Sequence, residues 1–116
     1  ISFLIAMTDD VWVRDNGPIF VRDSSSDGQL VVQNWRFNGW GRKADSHLCD
    51  QVPKAVSASL GVPCIDVPMV NEGGSVELDG RGTLMAKRSS ILNSNRNPNW
   101  TQGDAEAYFR HYLGVT

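Results

Sequence analysis

Four turn-forming segments cut this chain into short elements: Asp23-Ser24-Ser25-Ser26-Asp27-Gly28, Phe37-Asn38-Gly39-Trp40-Gly41, Asp79-Gly80-Arg81-Gly82 and Asn93-Ser94-Asn95-Arg96-Asn97-Pro98-Asn99. Glycine bends the backbone without a Cβ penalty, Asp and Asn bond their own main chain, and Pro98 drives Asn97 out of helical geometry. Neither a long helix nor a long strand passes through such breaks. The intervals read as strands over residues 1–6, 19–21, 30–35 and 63–67, a hairpin of 75–78 with 83–87, and a short extended piece at 90–92. Asp-Gly at 79–80 is a strong hairpin signal.

Two helices fit the remaining intervals. The first runs to Leu60 with Asp50 as N-cap, Val52, Val56, Ser59 and Leu60 on one face, and Gly61 as its stop. The second starts at Thr101, with Asp104 placed to complete a capping box. Its stripe is Ala105, Tyr108, Phe109, Tyr112 and Leu113, and Gly114 ends it. The order is that of an α/β chain, with a faint repeat of strand–strand–helix units. At 116 residues it reads as one domain over 1–116.

Composition excludes several roles. Eleven Lys and Arg against thirteen Asp and Glu give a net charge of −2, which offers nothing for nucleic acid or an anionic membrane. The apolar opening, Ile1-Ser2-Phe3-Leu4-Ile5-Ala6-Met7, has no basic flank and reads as a buried strand, not a signal peptide. With no initiator Met, the chain reads as a fragment or one missing its first residues. Cys49 and Cys64 make neither a disulfide framework nor a metal spacing, and reduced thiols in a cytoplasmic protein are the plain reading. Cys64 reads as core and Cys49, at a helix start, as a bystander. His47 reads as exposed and His111 as a last-turn residue favoured by the helix dipole. Neither is placed like a catalytic base, and no metal site or cofactor is indicated.

The chemistry-bearing run is Trp12-Val13-Arg14-Asp15-Asn16-Gly17-Pro18, with Glu72-Gly73-Gly74 far downstream. An indole face and carboxylate oxygens are the equipment for gripping a planar cation. The plainer local reading is a charged loop in which Arg14 pairs with Asp9, Asp10 or Asp15 and Trp12 is core. For Glu72-Gly73-Gly74 the two readings are close backbone approach to a ligand and a simple bulge. Arg96 either fixes its own Asn-rich loop or meets a substrate carboxylate.

Taken in register, Asp10 to Pro18, Phe37 to Gly41, Glu72 to Ser75, Asp79 to Thr83 and Leu92 to Pro98 resemble the agmatine deiminase family, also called the bacterial-type peptidylarginine deiminase family. The resemblance implies a partial pentein fold (an α/β-propeller) of about two ββαβ-type units. It implies hydrolysis of a guanidine, agmatine and water giving N-carbamoylputrescine and ammonia. The family does this through a cysteine nucleophile and a histidine, without metal or cofactor. Carried across, Asp15 grips the guanidinium, Trp12 walls the substrate, and Glu72 lines the pocket near the catalytic histidine. Arg14, Trp40 and Arg96 support the loops. The family's own His-x-Asp and glycine-rich Cys segments do not occur here, so the chain reads as an N-terminal portion, inactive by itself.

Three readings follow. The chain is a piece of a deiminase, a binder of guanidino compounds without turnover, or a structural and oligomerisation module. Strand edges and apolar faces left open by missing units favour a homo-oligomer.

Overall fold

The computed structural model describes residues 1–116. Strands β1 (Ile19–Asp23), β2 (Gln29–Arg36) and β3 (Cys64–Val70) form one sheet in that spatial order. β1 runs antiparallel to β2, with Ile19 opposite Gln33 and Asp23 opposite Gln29. Asp23 clamps the turn between them, accepting from the Ser25 N–H at 2.8 Å and from the Ser25 and Ser26 hydroxyls at 2.7 and 2.9 Å.

β3 joins β2 in parallel, Val32 beside Cys64 and Trp35 beside Val67. Parallel neighbours need a crossover, and the Val52–Leu60 helix supplies it. The register slips after Trp35, so that Arg36 aligns with Val70. Pro68 falls in the slipped stretch of this edge strand, where a residue without an N–H does least harm.

β2 is the middle strand, and Val31 to Trp35 are all buried. Alternation sends Gln33 and Trp35 to one face and Asn34 to the other. On the first face Trp35 stacks against Phe109 with centroids 5.9 Å apart, and Gln33 Nε2 donates to the Tyr112 carbonyl at 2.6 Å. On the second, Asn34 donates to Asp66 Oδ1 at 2.7 Å, and Lys54 of the crossover helix reaches the same oxygen at 3.1 Å. The sheet is thus held between the crossover helix and the last helix, Gln102–Leu113.

Trp35, Val67, Met69, Ile91, Ala105 and Phe109 form the buried core. Each large apolar side chain taken from water contributes roughly 1.5–3 kcal/mol, so this cluster is what fixes the last helix on the sheet. That helix begins with the capping box of Thr101 and Asp104 and ends at Gly114 in left-handed geometry. A second small sheet pairs β4 (Val76–Leu78) with β5 (Leu84–Ala86), and Asp79 closes its turn by accepting from the Arg81 and Thr83 N–H groups.

Several sequence expectations fail, each for want of a partner that local pattern does not reveal. Residues 1–6 form no strand; Ile1, Phe3 and Ile5 stand in solvent, because no neighbouring strand takes their N–H and C=O groups. The 90–92 segment is not extended. Its residues close the helical turn Arg88–Ile91, which drops Ile91 into the core. Asp50 lies inside a 3₁₀ turn, Cys49–Gln51, and its carboxylate accepts from the Phe37 N–H at 2.6 Å instead of capping the helix. The turn rotates the helix that follows, so its buried face is Val52, Pro53 and Ser57, and Leu60 is exposed.

Candidate functional site

Asp15 sits in a single helical turn, Val13–Asn16, closed by the Gly17 N–H donating to the Val13 carbonyl at 2.8 Å. Trp12 precedes the turn and is exposed, as is Arg14. The core reading of Trp12 therefore fails, and Arg14 forms no ion pair with an aspartate. The three acids of this run also part company. Asp9 Oδ2 accepts from the Leu48 and Cys49 N–H groups at 2.7 and 3.1 Å, and Asp10 accepts from the Val11 N–H at 2.7 Å.

Asp15 is held from both oxygens. Trp40 Nε1–H donates to Oδ2 at 3.1 Å, and the Gly74 N–H donates to Oδ1 at 3.2 Å. Gly73 and Gly74 make this approach possible. A Cβ on Gly73 would collide with the Arg14 carbonyl oxygen, and one on Gly74 would lie 2.5 Å from Asp15 Oδ1. The double glycine lets the chain approach its own Arg14 and Asp15, within a 3₁₀ turn over Gly73–Ser75 and not a bulge.

Trp40 reaches Asp15 from an uncommon backbone. Gly39, Trp40, Gly41 and Arg42 all have positive φ, at 64, 55, 84 and 65°. Left-handed geometry at a residue with a Cβ costs roughly 1–2 kcal/mol, so the surroundings must enforce it at Trp40. Asn38 does so from below, accepting from the Gly41 N–H and donating to the Asn95 carbonyl, both at 2.9 Å. Phe37 packs edge-on against the indole at 5.1 Å. A Cβ at Gly41 would strike the Asn95 and Arg96 side chains.

Glu72 is 4% exposed and its carboxylate is already engaged, with Arg96 Nε donating to Oε1 at 2.9 Å. Arg96 also donates to Asn95 Oδ1 at 3.0 Å. The segments therefore close a ring: Asp15 to Trp40, Gly41 against Arg96, Arg96 to Glu72, and Gly74 back to Asp15. Arg96 meets an acid of its own chain, which is the loop-fixing role. The cleft beside this ring is lined by Arg14, Pro18, Gly73 and Glu77 among others, and does not include Trp12, Asp15 or Glu72.

Sequence reading reversed the two thiols. Cys49 is fully buried and Cys64 is exposed. Partial burial, and then the Asp66 carboxylate, push the Cys64 thiol up from its ordinary pKa. Neither sulfur is hydrogen-bonded to an imidazole; Cys49 Sγ faces the Asp10 carbonyl at 3.8 Å. No cluster of His, Cys, Asp and Glu is arranged to hold a metal ion.

Two asparagines escaped the sequence reading. Asn97, 4% exposed, accepts from the Val70 N–H and donates to the Val70 and Ile91 carbonyls, each at 2.9 Å. It ties the Asn-rich loop to β3, and only its place just before Pro98 hinted at constraint. Asn16, 3% exposed, has both amide atoms buried without a protein partner. Nothing in the run around it marked it out.

An aspartate clamped by an indole and a glycine amide, on a small α/β scaffold, defines an acid-bearing unit in which four of the five motif segments meet, the Asp79–Thr83 turn standing apart. The chain belongs to the Porphyromonas-type peptidyl-arginine deiminase family, which it matches over residues 1–116. It is 39% identical to agmatine deiminase of Stutzerimonas stutzeri over 117 residues, covering 93% of this chain and 30% of the relative. Against agmatine deiminase of Medicago truncatula the identity is 34% over 119 residues, 93% and 32% of the two chains. Among solved structures, C. jejuni agmatine deiminase with substrate bound superposes with a TM-score of 0.90 at 27% identity, covering 99% of this chain and 34% of that one. Agmatine deiminase of Enterococcus faecalis gives 0.86 at 30% identity, with 96% and 32% covered. The chain thus spans about a third of the length of the relatives it matches. No helix in it is long and apolar enough to cross a membrane.

Proposed function

We propose that this chain supplies the acid grip of an agmatine deiminase-type enzyme, one that converts agmatine and water to N-carbamoylputrescine and ammonia on a pentein scaffold. Asp15 receives the guanidinium, Trp12 offers its exposed indole as a wall, and Glu72, paired with Arg96, lines the pocket. The observation that carries this reading is the two-sided clamp on Asp15 by Trp40 and Gly74. A carboxylate fixed in this way has acceptor capacity left on both oxygens for a fork of N–H donors. The whole-enzyme activity is taken from the family, and the substrate class from relatives named for agmatine.

A second reading applies to the 116 residues by themselves: they bind a guanidino compound and do not turn it over. It is favoured by the thiols, neither of which has an imidazole partner to generate a nucleophile. The reduced thiols suit a cytoplasmic setting. Apolar side chains stand exposed at Phe20, Leu30, Ile65 and Met85, and we assign them to contacts within a homo-oligomer.

Calorimetry with agmatine tests the grip. Asp15→Asn removes the charge and is expected to weaken binding at least about tenfold. Equal affinity in the two proteins would end the proposal.

A further inference from the structure

The indole of Trp40 spends its only donor on a carboxylate, and the chain goes to unusual lengths to keep it there. Left-handed backbone runs through Gly39, Trp40, Gly41 and Arg42, Asn38 caps the turn, and Gly41 lets it rest on Asn95 and Arg96. The Phe37 ring holds the indole edge-on. None of these contacts would be needed merely to fill space, since Trp40 is only partly buried.

With Trp40 Nε1–H on Oδ2 and the Gly74 N–H on Oδ1, the Asp15 carboxylate cannot rotate freely about its Cβ–Cγ bond. We propose that Trp40 is a positioning residue that orients the Asp15 carboxylate for a two-pronged guanidinium contact, and so selects a guanidinium over a primary ammonium. The inference rests on the guanidine-binding reading above. Its chemistry is geometric. A guanidinium is a flat fork whose two parallel N–H groups meet two oxygens only when the carboxylate plane is set. A primary ammonium is a compact charge with rotatable donors, and one oxygen in any orientation serves it. Charge alone attracts both ions, and orientation separates them.

The test compares agmatine with 1,5-diaminopentane, a chain of similar length ending in an ammonium, by calorimetry on the wild type, Trp40→Phe, Asp15→Asn and the double variant. Phenylalanine keeps an aromatic ring against Phe37 and deletes the donor. Agmatine affinity is expected to fall about tenfold in Trp40→Phe and the diamine affinity less than about twofold. The double variant should bind agmatine no worse than Asp15→Asn, because Trp40 acts through Asp15.

Equal losses for the two ligands, or additive losses in the double variant, would reduce Trp40 to a packing residue and overturn the inference while leaving the guanidine reading intact. Absence of agmatine binding by the wild type would overturn both. Should Trp40→Phe fail to fold, the Trp40 indole N–H resonance of the unsubstituted protein decides. It is expected to shift on agmatine titration and to stay nearly still with the diamine; the same response to both overturns the inference.

Discussion

The Gly74 N–H donates to Asp15 Oδ1 from 3.2 Å, and the place a Gly74 Cβ would occupy lies 2.5 Å from that same oxygen. Glycine is therefore required here by the very atom it serves. Its φ is not left-handed, so the restriction is steric and not conformational.

Gly74→Ala should force Asp15 or the Glu72-Gly73-Gly74 segment to move. Overpacking of this kind costs about 1–3 kcal/mol. Urea unfolding checks the stability, and agmatine calorimetry checks the grip, which is expected to weaken with it. A variant as stable and as tightly binding as wild type would mean that the close approach does not matter.

Arg96 and Glu72 form an ion pair whose side chains are only 12% and 5% exposed. Removing one member leaves the other charge buried alone, at about 3–5 kcal/mol. Arg96→Ala should lose that much in chemical denaturation, and pairing it with Glu72→Gln should recover part of the loss. A cost for Arg96→Ala below about 1 kcal/mol contradicts the structural role given to this pair.

Acid should destabilise the fold through carboxylates that the native state keeps ionised. Asn34 and then Lys54 hold Asp66 below the ordinary 3.8 by hydrogen bonding. Ser25 and Ser26 act likewise on Asp23, the Arg81 and Thr83 N–H groups on Asp79, and Thr101 on Asp104. A depressed native pKa contributes stability that is present above the unfolded-state value and is lost as pH falls through the native one. Melting temperature is expected to be flat above about pH 5 and to decline below about pH 4. Asp66→Asn should make that decline shallower; an unchanged acid limb would remove Asp66 from the account.

How much of this was legible depends on how far apart the partners lie. The capping box of Thr101 and Asp104, the left-handed Gly61 and the Asp79 turn are settled within a few residues, and the chain carries their signals openly. The agreement of five motifs in register marked the family and brought Trp12, Asp15 and Glu72 forward as site residues. What those residues touch was not legible. Trp40 meets Asp15 across 25 positions, Arg96 meets Glu72 across 24, and Gly74 meets Asp15 across 59. Composition near Arg96 favours a loop clamp over a substrate contact without naming the partner, and only the neighbour chosen in space supplies it.

By itself the sequence determined most of the backbone turns, the capping box of the last helix, the glycine that ends each of the two longer helices, and which segments carry acids beside glycines, because dihedral preference and short-range hydrogen bonding act within a single turn of chain. Tertiary structure alone decided that Cys49 is buried and Cys64 exposed, that residues 1–6 pair with nothing, and that Glu72 is engaged by Arg96. The reason is physical: burial and ion pairing are properties of the surfaces that meet, and those surfaces come from stretches that local order does not relate.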